Sequence, residues 1–490
     1  MNWKTKGICA NLIFSFIIFL IILFTKSIIK AIVLSGCFFL ITTFFMLKFK
    51  DYLKSIVYLL GFFLSMKIIL YYHVKNSGMV LYPGASVGVV ITLYDILMLM
   101  LVFSVIVKSL KTKKSEKIKV GIDLILPLAY LILHILASKF SIDKEASICE
   151  IIRLIKNIIF SIAIIKIFNL DMFEVFAKGI AHTMSFQLML GIIQIIKGRS
   201  IGLSFLGESS DGFRVGVEGL EKGMSGTLGH PGTLAIFSIF SLCVIMGCTK
   251  LKHKKIYILV CILSIILTFA RTSILLMFAI FLGYYILKIY RKEVDFKLTH
   301  KKIILGILLI LIVIISGFIA KNQIITITSR FIESDFSQQV INRNEHKEVA
   351  LYVYKNRKGW AYGPNNYVLS VGKMFPTKFN KNEFYYRYPV HNLYMLYLVE
   401  LGILGPILYC LLYFGNVIRM VKKITKNKNN YVVILILMAI WATCMMIYNF
   451  TGWSGDKDIL ITIMWISIGI SISAFKRLKK MEECKKIKDF

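Results

Sequence analysis

The feature that most restricts this chain is a succession of apolar runs separated by short polar breaks. Each run is roughly 17–25 residues, the length a helix needs to cross about 30 Å of hydrocarbon. They fall near 8–25, 29–47, 55–72, 86–107, 120–138, 152–169, 172–195, 231–248, 256–270, 273–289, 303–320, 390–415, 431–449 and 458–474. In lipid the backbone must satisfy its own hydrogen bonds, so spanning segments are helices or closed barrels. A barrel needs short strands of alternating polarity, and the sequence reads as having none. The expected fold is therefore an all-α polytopic membrane protein with about fourteen transmembrane helices. At 57% hydrophobic residues and a mean hydropathy of +0.73, the chain is too apolar for a wetted globule. The run 152–169 is the least regular, interrupted by Arg153, Lys156 and Lys166, and an interfacial placement is its alternative reading.

The net charge is +34. Its cations cluster between the apolar runs, the pattern of loops held at an anionic cytoplasmic leaflet and not of a nucleic-acid surface. With the N-terminus inside, the cytoplasmic breaks are Lys48–Lys54, Lys108–Lys119, Lys250–Lys255, Tyr290–Lys302 and Arg419–Asn430, joined by the tail Lys476–Phe490. Both termini are then cytoplasmic. Ile8–Phe24 is read as a retained first helix and not a signal peptide, because a second apolar run follows at once with no A-x-A-like site between.

This arrangement divides the chain into N-terminal transmembrane helices (1–196), an extracytoplasmic loop (197–230) and central transmembrane helices (231–320). A large extracytoplasmic loop (321–389), C-terminal transmembrane helices (390–475) and a basic cytoplasmic tail (476–490) follow. The large loop is rich in aromatic residues, among them Tyr352, Trp360, Tyr367, Phe379 and Tyr386. A disordered linker would have few, so it is expected to fold onto the helical bundle. It holds none of the nine cysteines, most of which lie in apolar runs, and no Cys/His spacing points to a metal.

Several short segments carry chemistry. His391-Asn392-Leu393 opens a span at its outer end and runs on to Glu400, Gly402 and Gly405. Gly226 to Ala235 reads GTLGHPGTLA, Thr268 to Ser273 reads TFARTS, and an Arg343-to-Leu351 stretch precedes the glycine-containing turn Gly359 to Tyr367. In this order the segments resemble those of the O-antigen polymerase and ligase family, over about the second half of the chain. The first half matches only as a stack of helices. Departures are visible. His230 and Gly232 stand where that family's segment has two asparagines, and Met224 stands where an arginine often precedes it. Arg214 lies nearby but out of register.

The resemblance implies a fold like the C-type membrane glycosyltransferases. It implies glycosyl transfer outside the cytoplasmic membrane of a bacterium, without nucleotide sugar, cofactor or metal. The donor would be a glycan on a polyprenyl diphosphate, and the acceptor another lipid-linked repeat unit or a lipid core. The partners would be these two substrates and the bilayer, with a chain-length regulator and a flippase as further candidates.

The residues suit that chemistry. The leaving diphosphate gains negative charge, and Arg, always charged and able to bond phosphate bidentately, can meet it. Arg271 and Arg343 are the candidates, and His391 is the candidate base for the acceptor hydroxyl. Arg214, His230, Asn365, Tyr367, Asn392 and Glu400 are candidate substrate-binding residues. Plainer roles stand beside these: Arg271 as an interface anchor, Arg343 as one loop cation among several, His391 as a helix-start residue and His230 as a helix cap. Glu174, Lys178 and His182 share a helix face, read first as an internal ion pair and second as a cleft lining. Glu400 lies nine residues after His391, about 13 Å along a helix axis and on the other side, which argues against a direct dyad.

The leading function is a polysaccharide polymerase; the Lys- and Ile-rich sequence hints at an AT-rich genome, compatible with a capsule or cell-wall polymer system. A ligase carries the same motifs. A lipid-linked oligosaccharide flippase is the rival class, and a protein-glycosylating oligosaccharyltransferase a third.

Overall fold

A computed structural model describes residues 3–24, 27–74, 88–111, 122–209, 223–291, 335–381, 386, 388–423, 429–450, 452 and 458–488. The expected span 303–320 and Arg214 lie outside the described residues. Among the described residues, nine helices are long and apolar enough to cross a membrane.

The chain opens with α1 (Trp3–Leu23), α2 (Ile28–Phe49) and α3 (Tyr52–Phe63), then a hairpin of β1 (Ile69–Val74) and β2 (Gly88–Thr92). It continues through α4 (Leu93–Lys111), α5 (Ile122–Ala137), α6 (Lys144–Ile167) and α7 (Leu170–Lys197). Next come α8 (Pro231–Gly247), α9 (Lys254–Leu267) and α10 (Arg271–Tyr290). The long loop holds α11 (Asp335–Lys355), α12 (Tyr367–Met374) and α13 (Pro376–Asn380). The chain closes with α14 (Leu393–Leu401), α15 (Leu404–Lys423), α16 (Asn430–Tyr448) and α17 (Asp458–Lys488).

Two expectations change here. The fold is not wholly helical. The runs 55–72 and 86–107 each give a helix and a strand, paired antiparallel with Tyr72 opposite Val90 and Val74 opposite Gly88. β-Branched and aromatic residues (Ile69, Tyr71, Val89, Ile91) suit a pleated surface better than a helix, and hydropathy alone does not separate the two.

The run 390–415 is also two helices. Gly402 breaks it with φ +72, and a Cβ there would lie 2.8 Å from the Trp360 carbonyl. Only glycine adopts that conformation readily and lets the loop backbone approach so closely. The first piece, α14, is nine residues, about 13 Å long and too short to span.

The irregular run 152–169 falls within α6, which lies along α17, with Gly469 against Ile164 and Ser473 and Arg477 donating to the Phe168 carbonyl. Its interrupting cations are paired: Arg153 with Glu150 and Lys156 with Asp95. A charge buried among helices persists when an opposite charge meets it.

Helix packing fixes which ends meet. α8 and α16 run antiparallel: Gly232 faces Tyr448, Phe240 meets Trp441, and Gly247 faces Leu437. α3 and α7 cross at touching glycines. A Cβ on Gly61 would fall 2.6 Å from the Phe176 carbonyl, and one on Gly179 would fall 2.3 Å from the Tyr58 carbonyl. Small residues of this kind let two helix backbones approach closely in a membrane. The expected ion pair between Glu174 and Lys178 is not formed. Glu174 instead binds Cys248, Thr249 and the backbone N–H of Lys250, at the turn after α8, and His182 bonds Tyr58.

The bundle thus has two unlike ends. Among the described residues, one end holds the β-hairpin, residues 198–209 and 223–230, α11 to α13 and the start of α14. The other holds the described basic breaks Lys48–Lys54 and Lys250–Lys255 and the end of α15, where Arg419 pairs with Asp123 of α5.

Candidate functional site

The site is built at the loop end, where α16 finishes. The Asn449 carbonyl accepts the Leu393 N–H at 3.0 Å. In return Asn392 donates its side-chain amide to the Phe450 carbonyl at 3.3 Å and accepts from Met395 N–H, capping α14. A carbonyl capped this way satisfies one of the free N–H groups of a helix's first turn. Tyr394 Oη donates to the Met446 carbonyl at 2.6 Å. His391 is the residue just before this cap, fixed at the positive end of the helix dipole.

α11 packs across α14 and lays His346 on His391. The two rings are 18° from parallel with centroids 5.5 Å apart, and His346 is 1% exposed. Arg343 lies on α11 one turn before His346 and so on the same face; its side chain is outside the described atoms. Sequence reasoning singled out Arg343 and missed His346. The available signal was the spacing of three residues between them.

Two further segments arrive at the same end. The turn from α9 to α10 passes through Phe269 with φ +54 and places Arg271 as the first residue of α10. The Leu267 carbonyl accepts Met224 N–H at 2.9 Å, and Gly223 sits so close to the Thr268 carbonyl that a Cβ would fall 2.5 Å from it. This ties the TFARTS turn to the GTLGHPG segment. His230 accepts the Gly232 N–H at 3.0 Å through Nδ1 and caps α8. The capping reading of His230 is thus the one its geometry supports.

Buried amides hold the GTLGHPG segment from below. Gln187 donates to Ser65 Oγ and Thr227 Oγ1 and accepts Thr227 N–H at 2.9 Å. Gln194 accepts Gly226 N–H at 2.9 Å and donates to Glu208 at 2.7 Å. Glu208 gathers the N–H groups of Ile201, Gly202 and Leu203. Burial alone would push its carboxyl up, but these donors outweigh burial and hold it below the usual carboxylate range. Met224, where the family's arginine is often seen, is fully buried against Gly191, so this position offers no cation.

The remaining candidates form a joint away from His391. Glu400 accepts the N–H groups of Tyr367, at 3.1 Å, and Asn365. Asn365 takes φ +58 to allow the turn. Tyr367 is 1% exposed, so its ring packs inside the fold at this joint. The loop is pinned on its other side by Asn366, which donates to Ser147 Oγ and the Asp143 carbonyl and accepts Asp143 N–H. Glu400 and His391 therefore serve opposite ends of α14, as their spacing indicates.

The structure thus brings Arg271, His230, His391 and the Arg343-bearing helix to one end of the bundle. It sets Glu400, Asn365 and Tyr367 apart as the anchor of the loop. An arginine at a helix start and an imidazole at another can bind an anion and accept a proton from a hydroxyl.

Residues 256–410 match the family model described as O-antigen ligase. The match begins within α9, takes in Arg271, Arg343 and His391, and ends early in α15. It supports placing the chain with the O-antigen polymerases and ligases. No curated protein matches the chain.

Proposed function

From a chain whose residues 256–410 carry the O-antigen ligase family domain, we propose a polysaccharide polymerase that joins polyprenyl-diphosphate-linked repeat units at the extracytoplasmic face of the bacterial cytoplasmic membrane. The observation that carries the reading is the gathering of Arg271, the Arg343-bearing helix and His391 at the bundle end opposite the basic breaks. The positive-inside rule puts the basic breaks in the cytoplasm, which leaves the gathered residues outside, with both termini inside.

In the proposed step the acceptor hydroxyl attacks the anomeric carbon of the donor sugar. A carbon–oxygen bond forms there, and the bond from that carbon to the phosphate oxygen breaks. The electron pair leaves with the polyprenyl diphosphate. His391 takes the hydroxyl proton, and Arg271 and Arg343 meet the charge developing on the diphosphate, each well-placed donor contributing roughly 10²–10³ in rate.

The test uses purified protein in liposomes with lipid-linked repeat units and no nucleotide sugar. Growth in glycan chain length supports the polymerase. Transfer to a lipid core with no growth would make the protein a ligase, and movement across the bilayer with no new bond would make it a flippase; either result overturns the proposal.

A further inference from the structure

We propose that His346 is a positioning residue whose flat ring sets the orientation of the His391 ring. The inference rests on the reading of His391 as the base, and it concerns a residue on a different helix.

Three observations carry it. The two imidazoles lie nearly parallel, 18° apart, with centroids separated by 5.5 Å, an offset stack of the kind flat rings prefer. His346 is buried to 1%, on the helix whose following turns bury Val349, Ala350 and Val353, and its ring meets His391 at the α14 start. The backbone of His391 is fixed separately, through Asn392 and Leu393 against Phe450 and Asn449.

Backbone fixation does not by itself set the plane of the ring. A histidine's second side-chain torsion is broad and roughly two-fold, so a ring on a rigid backbone can still turn about its axis. A base must present one nitrogen within hydrogen-bond reach of the hydroxyl it deprotonates. The His346 face, stacked on the ring, restricts that rotation. A branched aliphatic side chain of similar bulk would fill the space without a plane to stack on, and a benzene ring would keep the plane without the nitrogens. The same helix carries Arg343 one turn away.

The test compares His346→Leu and His346→Phe in the liposome assay, with wild type and His391→Ala beside them. Each variant is first checked for monodisperse elution and an unshifted melting curve. The expected result is a kcat for His346→Leu about 10- to 100-fold below wild type, the scale of a small misplacement of a catalytic group, with KM within about two-fold. His346→Phe is expected to recover kcat to within about five-fold of wild type, because an aromatic face is all the stack requires. If His346→Leu fails to fold, His346→Met, unbranched and adaptable, takes its place with the same expectation. Full kcat without the aromatic ring, a His346→Phe variant as slow as His346→Leu, or a loss that appears in KM alone would overturn the proposal. Failure of the functional reading looks different: wild type then joins no repeat units, or His391→Ala remains fully active.

Discussion

The carbonyl oxygen of Asn449 accepts the backbone N–H of Leu393 at 3.0 Å, so the end of α16 holds the start of α14 two residues after His391. The same asparagine donates its side-chain amide to Tyr409 Oη at 2.8 Å, reaching α15. One buried residue therefore joins three helices beneath the candidate base. Asn449→Ala should lower stability by about 1–3 kcal/mol, since Tyr409 is left as a buried hydroxyl short of a donor. The melting midpoint in detergent reads this directly; an unchanged midpoint would remove Asn449 from the platform.

The crossing of α3 and α7 should tolerate no side chain. At Gly179 a methyl group would fall 2.3 Å from the Tyr58 carbonyl, and backbone cannot yield as a flexible side chain does. Gly179→Ala is expected to cost about 1–3 kcal/mol through overpacking and to reduce yield from the membrane. Gly36, with nothing near it, serves as the control: Gly36→Ala should be neutral or slightly stabilising on helix propensity. Equal behaviour of the two variants would mean the crossing is looser than described.

Acid should loosen the 201–208 connection. Glu208 is held below the usual carboxylate range by its backbone and amide donors, against the effect of burial. A carboxyl depressed in the folded state stabilises above its unfolded pKa of about 4.3 and loses that contribution as pH falls through the lower folded value. The melting midpoint should therefore drop below about pH 4 in part through this group, and Glu208→Gln should flatten that limb. A variant with the same acid limb as wild type would show that other carboxyls set it.

Removal of the charge and base should stop bond formation without removing the protein from the membrane. Arg271→Ala is expected to lower the rate by roughly 10²–10³, and His391→Ala by roughly 10²–10⁴. Both are measured as chain growth per unit of membrane-inserted protein. Full activity in either variant would strike that residue from the mechanism.

Much of the architecture was legible in the order of residues. The spans near 8–25, 29–47, 172–195, 273–289, 431–449 and 458–474 each correspond to one long helix, because an apolar stretch of that length has one way to satisfy its backbone in lipid. Arg271 could be placed at a helix start from the short TFARTS break, and His230 as a cap from the proline that follows it. The sequence was misleading where two segments share a composition but not a partner. Ile69–Val74 is as apolar as a span, yet it meets a complementary strand and pairs. The run 390–415 reads as one span, yet the Trp360 backbone arrives at Gly402 and divides it.

By itself, then, the sequence determined that the chain crosses a membrane many times, which residues carry charge, and which breaks between helices are short. Those properties depend on neighbours along the chain and on transfer free energy, which are local and additive. Only the tertiary structure decided that His346 lies on His391, that Asn449 holds Leu393, and that Glu400 and Tyr367 join at the far end of α14 from His391. Each of these is a contact between residues dozens of positions apart, selected by how helices pack and where glycines permit approach, and no pattern along a single stretch of chain encodes it.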